Sequence, residues 1–430
     1  AARARSSAIR DTRHSQATPH TGRRRFGPRS SSRTSVTSSA TLSRLLLPCL
    51  LVPIRPQLSN HQIVRMSLDS AFSRPVEQTA RDGLAMSQKR LVNLGALMLE
   101  SGVAIPEITV AYQTFGTFTG KNAVLIEHAL TGDSHVAGVH SETHQRGWWD
   151  DLVGPGKTVD TDEWFVVCAN VLGGCQGTTG PSSPHPTEGL PWGSRWPRIS
   201  VRDQVAVEVL LTDALGIDSY AAILGGSMGG MRTLEWLVAH PDRVKSALLL
   251  ATSAQASADQ IGTQSVQIAA IVNDSLWLGG DYYDTTDESG PQRGLALARQ
   301  IAHLSYRTEH ELATRFGLDP QDDEDPYAQE IYGRHSDAGR FAVQSYLEHH
   351  GNKLVARFDA GSYVCLTDVM NTHDIARGRG TVDEVLGHIQ VPVVVGGIDS
   401  DRLYPIHQQA QLAKLIPTAG TLQVIDRKSV

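Results

Sequence analysis

The stretch "YAAILGGSMGGMRTLEWLVAHP" (Tyr220 to Pro241) constrains the fold more than any other part of the chain. An apolar run ends in Gly225-Gly226-Ser227-Met228-Gly229-Gly230, and a helix-like run that follows is stopped by Pro241. A strand passing at once into a helix forces the chain through a sharp turn, where crowding favours residues without side chains. The serine at its apex then sits at a helix start, where free N–H groups and the helix dipole favour developing negative charge. Residues 225–229 fit G-x-S-x-G, a nucleophile pattern that acquires meaning only with a strand before it and a helix after it. A phosphate loop is disfavoured because no Gly-Lys-Ser/Thr follows, and a dinucleotide fingerprint should open the first strand of a sheet. Taken without its flanks, the five-residue match fits a tight or phosphate-binding Gly-rich turn as well as it fits a nucleophile.

The rest of the chain supplies those flanks repeatedly. "EITVAYQTFG" (Glu107 to Gly116) alternates as a half-buried strand does. "AVLIEHALTGD", "EWFVVCANVLGG", "VKSALLLAT" and "VPVVVGGIDSD" are short runs, apolar on both faces, that end in Gly or polar clusters. Such runs suit central strands of a parallel sheet. Helical patterns such as "RDQVAVEVLLTDALG" stand between them, which gives an α/β doubly wound order. From 257 to 371 strand signals stop and helical ones take over, with Leu297, Ile301 and Leu304 on one apolar face. The expected division is a core of residues 66–256 and 372–430, a helical lid at 257–371, and a disordered leader at 1–65. The acidic "DPQDDEDPY" reads as a solvated loop in the lid.

Charge separates the leader from the body. Residues 1–65 carry twelve arginines and the single acid Asp11, so the overall net charge of -6 hides a strongly acidic remainder. Serine-rich and without apolar periodicity, the leader cannot bury enough surface to fold. Its composition resembles an organelle-targeting segment, or else it is not part of the mature protein, since Met66-Ser67 reads as a natural start. The run "LLLPCLLVPI" is too short to span a bilayer. An acidic body argues against a nucleic-acid groove, which needs a basic surface to release counterions. The four cysteines show no zinc-ligand pairing, and reduced thiols are the plain reading. No metal site is expected.

A serine is a poor nucleophile near neutral pH and needs a base with an orienting acid. In this architecture the order along the chain is Ser, Asp or Glu, then His. Asp401, after the strand "VPVVVGG", is the preferred acid, with Asp399 its rival. The base is harder to find. His407 lies inside the following helix, and His373 precedes the acid. A base should follow the next strand, "GTLQVID", after which the chain reaches only "RKSV". The oxyanion donors expected are the backbone N–H groups of Met228 and of Leu130, in the loop "HALTGDSH". His128 and His135 in that loop read as structural histidines rather than metal ligands.

At "HALTGDSH", "GWWDDLVGPGKTVDTDEWFVVCANVLGGCQGTTGPSS", "GGSMGGM", "LARQIAHLSYRTEHELATRFG", "RFDAGSYVCLTDVMNTHD" and "DSDRLYP" the chain resembles the homoserine O-acetyltransferase family of the α/β-hydrolase superfamily. The resemblance implies an α/β-hydrolase fold and acetyl transfer from acetyl-CoA to L-homoserine, a step of methionine synthesis. It implies no bound cofactor, acetyl-CoA as co-substrate, a cytoplasmic setting and a homodimer formed through the lid. Ser227 matches the family's nucleophile and Asp401 its acid, with Leu130 and Met228 as oxyanion donors. Arg299 and Tyr306 match residues that hold the amino acid, Arg299 facing its carboxylate, and Thr131 shares their pocket. Seven residues apart on a helix is about 20° of rotation, so Arg299 and Tyr306 share a face. The family's catalytic histidine stands in a Gly-His-Asp turn after the last strand. Its absence before Val430 leads to the expectation of a chain cut short, with little or no turnover by residues 1–430. The alternatives are a succinyl donor or serine acceptor, an esterase, and an inactive binding protein of the same fold.

Overall fold

The computed structural model describes residues 88–140, 145–283, 290–328 and 339–426. The leader expected at 1–65 lies outside them, as do residues 66–87 and the chain past Asp426. Eight strands form one sheet among the described residues: β1 (Arg90–Asn93), β2 (Thr109–Phe115), β3 (Ala123–Glu127), β4 (Phe165–Ala169), β5 (Ala222–Gly226), β6 (Ala247–Leu250), β7 (Val393–Ile398) and β8 (Gln423–Ile425). Their spatial order is β1-β2-β4-β3-β5-β6-β7-β8. β2 runs antiparallel to β1 and β4, and the pairings from β4 through β8 are parallel. All five residues of β3 are buried, which is why its sequence is apolar on both faces.

Helices cover the sheet. α1 (Val201–Ala214) begins at a reciprocal cap, with the Ser200 side chain accepting from the Asp203 N–H and the Asp203 carboxylate accepting from the Ser200 N–H. α2 (Met228–Ala239) leaves β5 directly and ends just before Pro241. Between β6 and β7 the chain forms α3 (Ala258–Val272), α4 (Gln292–Tyr306), α5 (Glu309–Phe316), α6 (Ala342–Val355) and α7 (Ala360–Asn371). α8 (Val382–Gly387) precedes β7, and α9 (Ile406–Leu415) joins it to β8.

The apolar stripe Leu297, Ile301 and Leu304 is not the buried face of α4. That helix packs between α3 and α6, buries Gly294, Leu295, Ala298 and Ala302, and leaves Leu297 and Leu304 exposed. Glycines set the close approach: a β-carbon at Gly294 would meet the Ala270 carbonyl of α3, and one at Gly351 of α6 the Ala296 carbonyl.

The sheet also fixes where a ligand can enter. The chain passes from β3 to β4 on one side and returns to β5 on the other. The carboxyl ends of β3 and β5 therefore flank the crevice at which open α/β sheets bind ligands.

Candidate active site

Ser227 stands at that crevice with φ 54° and ψ -123°, a left-handed backbone that costs a residue with a β-carbon. Neighbouring contacts hold it there. Its N–H donates to Leu250 O at 3.0 Å, and its carbonyl accepts from Thr252 Oγ1 at 2.9 Å and from the Met231 N–H. The flanking glycines differ in what they are for. A β-carbon at Gly225 would collide with the Gly229 carbonyl and Thr233 Oγ1, and one at Gly229 with the Glu127 carbonyl. At Gly226 the nearest atom would be 3.6 Å away, ordinary contact. The turn needs its outer glycines so that α2 can lie against β5 and β3.

Beneath the turn lies a polar network closed to solvent. Arg232, on the second turn of α2, pairs with Glu208 of α1 and donates to the His128 carbonyl at 2.6 Å. Glu208 also accepts from Trp236 Nε1 at 2.9 Å. His128 receives the Val171 N–H at Nε2 over 3.1 Å, so its proton is on Nδ1, which donates to the Ala129 carbonyl at 2.8 Å. Burial, reinforced by Arg232, lowers the His128 pKa to about 3 and keeps the ring neutral. This buried histidine is a strut that shapes the loop carrying Leu130. His135 is likewise buried and contacts the Gln145 carbonyl through Nε2 at 3.1 Å.

Six of the seven residues singled out in the sequence, Leu130, Thr131, Ser227, Arg299, Tyr306 and Asp401, line one cavity of about 860 Å³. The seventh, Met228, is buried behind it as the first residue of α2. Among the described residues the backbone N–H groups of Met228 and Leu130 have no protein acceptor, as an oxyanion site requires. Asp401 follows β7 and accepts the N–H groups of Leu403 at 2.8 Å and Tyr404 at 3.0 Å through Oδ1. Burial raises its carboxyl above the usual range against the pull of those two donors. Asp399 lines the same cavity.

Arg299 and Tyr306 do share a face of α4. The guanidinium lies 5.7 Å from the Tyr306 ring centre and within 3.5 Å of its hydroxyl. Arg299 forms no ion pair among the described residues, so a cation is left facing the cavity.

The histidines weighed as bases stand elsewhere. His407 is exposed on α9. His373 is buried, contacts the Ser253 carbonyl through Nε2 at 3.1 Å, and has its pKa lowered by burial to about 4. Neither lines the cavity. Asp426, the residue after β8, does.

A family model of the alpha/beta hydrolase fold matches residues 122–427. A homoserine O-acetyltransferase of Mycolicibacterium paratuberculosis is 55% identical over 338 residues, covering 78% of this chain and 83% of the relative. The chain belongs to the homoserine O-acetyltransferases. The homoserine O-acetyltransferase of Nocardia farcinica is 54% identical over 338 residues, 78% of this chain and 85% of its own. The crystal structure of a homoserine O-acetyltransferase from Bacillus anthracis superposes with a TM-score of 0.72 at 26% identity, covering 80% of this chain and 92% of that one.

Several wall residues of this homoserine O-acetyltransferase site escaped sequence reasoning. His310 and Arg307 line the cavity at the end of α4 and the start of α5, and Tyr404 lines it three residues past Asp401. The pair on the helices carried no local signal. Tyr404 did, because a residue so close to the acid in "DSDRLYP" must lie near the nucleophile once Asp401 does. No described helix is long and apolar enough to cross a membrane.

Proposed function

We propose that the chain transfers the acetyl group of acetyl-CoA to the hydroxyl of L-homoserine through an acyl-serine at Ser227. The observation that carries this reading is the single cavity, in which a strained serine at a helix start faces an unpaired arginine. A base removes the Ser227 proton as Oγ attacks the thioester carbonyl, and the new oxyanion lies against the N–H groups of Met228 and Leu130. The tetrahedral adduct expels CoA as its thiolate, which takes up the proton. Homoserine then enters with its carboxylate on Arg299, its chain beside Tyr306 and Thr131, and repeats the attack on the ester. Asp401 orients the base, a histidine that the family resemblance assigns to a Gly-His-Asp turn after β8; residues 1–430 hold no such turn, and the full-length protein named in the tests is one that carries it. Acetyl-CoA is a co-substrate in this scheme, and no resident cofactor takes part.

The helices of 257–371 supply Arg299 and Tyr306, and we assign that segment as the lid over a core made by 66–256 and 372–430. A lid limits water at the ester, which the acceptor must outcompete. Exposed Ile261, Val266, Leu297 and Leu304 on α3 and α4 support a homodimer through the same element. The test is thiol release from acetyl-CoA by the full-length protein with and without homoserine. Release that rises several-fold with homoserine and yields O-acetylhomoserine is the expected result. Release indifferent to homoserine, ending in acetate, would make the chain an esterase.

A further inference from the structure

Tyr404 lies in the active-site wall, yet the scheme above gives it no task. Its side chain is 2% exposed and packed in the hydrophobic core cluster that backs the cavity. Its hydroxyl is sealed from solvent and makes no hydrogen bond of standard geometry to any described residue. Tyr404 shares the cavity wall with Ser227, Asp401 and Tyr306, and the Ser227 side chain lies within reach of its hydroxyl. Burial in that core cluster leaves the ring little freedom to turn elsewhere.

A buried hydroxyl without a partner is unfavourable, and a phenylalanine would fill the same space without that cost. A tyrosine is favoured over a phenylalanine there when its hydroxyl bonds more strongly to a neighbour that gains charge during the reaction. The geometry points to Tyr404 as a further catalytic residue, whose hydroxyl donates a hydrogen bond to Ser227 Oγ when the acyl-serine bond breaks. This rests on acyl transfer through Ser227.

The two halves of the reaction load Oγ differently. In the first, a thiolate leaves, and it carries its electron pair readily. In the second, the acceptor oxygen forms its bond to the acyl carbon while the carbon–Oγ bond breaks. The electron pair moves onto Oγ, and the proton taken from the acceptor is returned to Oγ by the base. An alkoxide is a far poorer leaving group than a thiolate, so a donor aimed at Oγ matters most in this second half. Burial holds the Tyr404 phenol above its ordinary pKa, so the hydroxyl stays protonated as a donor throughout.

The experiment is Tyr404→Phe in the full-length protein, read by steady-state turnover and by intact mass of the enzyme during turnover. We expect kcat to fall roughly 10- to 100-fold, somewhat less than the loss of an oxyanion donor. The first burst of CoA release is kept, and acetyl-enzyme becomes the main species. A kcat within about two-fold of the parent, or an equal fall with no acetyl-enzyme, overturns the assignment. Should the variant not fold, 3-fluorotyrosine at position 404 gives a more acidic donor of nearly the same size. It speeds the second half alone if the assignment is right, and an unchanged rate overturns it. Build-up of acetyl-enzyme can also be read with water as acceptor, so a wild type indifferent to homoserine refutes the acceptor reading and still decides Tyr404.

Discussion

The two walls of the cavity are built on opposite principles. The wall that comes from the sheet is fixed by backbone geometry. Ser227, Leu130 and Asp401 sit at strand ends, and Arg232, Glu208 and His128 lock the turn and loop from beneath. The wall that comes from the helices reaches in with side chains. Arg299 and Tyr306 touch each other only loosely, and their helix exposes Leu297 and Leu304 on its outer side. The difference separates tasks: a reacting carbonyl needs donors placed to a fraction of an ångström, whereas an acceptor is recognised by charge, which tolerates some play.

Removing the nucleophile tests the sheet wall at its strongest point. Ser227→Ala should lower homoserine-dependent CoA release by on the order of 10⁴- to 10⁶-fold, while a calorimetric scan shows the fold retained. Measurable acetyl-enzyme in that variant would place the nucleophile elsewhere. Arg232→Met tests the support beneath it. Stranding Glu208 without its cation in the interior should cost about 3–5 kcal/mol in denaturant unfolding, and a loss under about 1 kcal/mol would show that the network is not what holds the turn.

Arg299→Ala breaks the other wall. We expect kcat/KM for homoserine to fall roughly 10- to 100-fold, with the burst of CoA release from acetyl-CoA alone unchanged. An equal loss in both halves would mean that the helical wall also positions the chemistry. The smallest effect is one of pH. An unfolded histidine takes up its proton near its ordinary pKa of 6.5, whereas folded His128 does so only near 3. Over that window the unfolded chain binds more protons, so stability falls as pH drops from 6.5 towards 3. His128→Asn, which keeps a donor and an acceptor without a titrating group, should make the decline in the unfolding midpoint shallower below pH 6.5. An unaltered slope would show that other groups carry it.

These walls were unequally legible in the sequence. On the sheet side each element has a local cause: an apolar run makes β5, the glycines force the turn, and Pro241 ends the helix. On the helix side the reading rested on resemblance, since nothing local distinguishes Arg299 and Tyr306 from an amphipathic surface. The apolar stripe that periodicity shows on α4 is largely exposed, and the residues that helix buries include the small Gly294, Ala298 and Ala302, which carry little hydrophobic signal. Gly226 shows a subtler limit. It looks as necessary as Gly225 in the sequence, yet only the latter is pressed by other atoms. His310 and Arg307 belong to the cavity through tertiary placement, which no short window contains, whereas Tyr404 was within reach of reasoning through its closeness to Asp401.

In the sheet, Glu127 of β3 is paired with Gly225 of β5. Leu130 and Met228 each follow their member of that pair by three residues. The two N–H groups proposed as oxyanion donors are thus the jaws of a calliper whose opening derives from a backbone ladder spaced about 4.8 Å between strands. Side-chain substitution does not reset that gauge, so evolution or engineering can retune the acceptor at the helices while the dimension that grips a tetrahedral carbon stays constant.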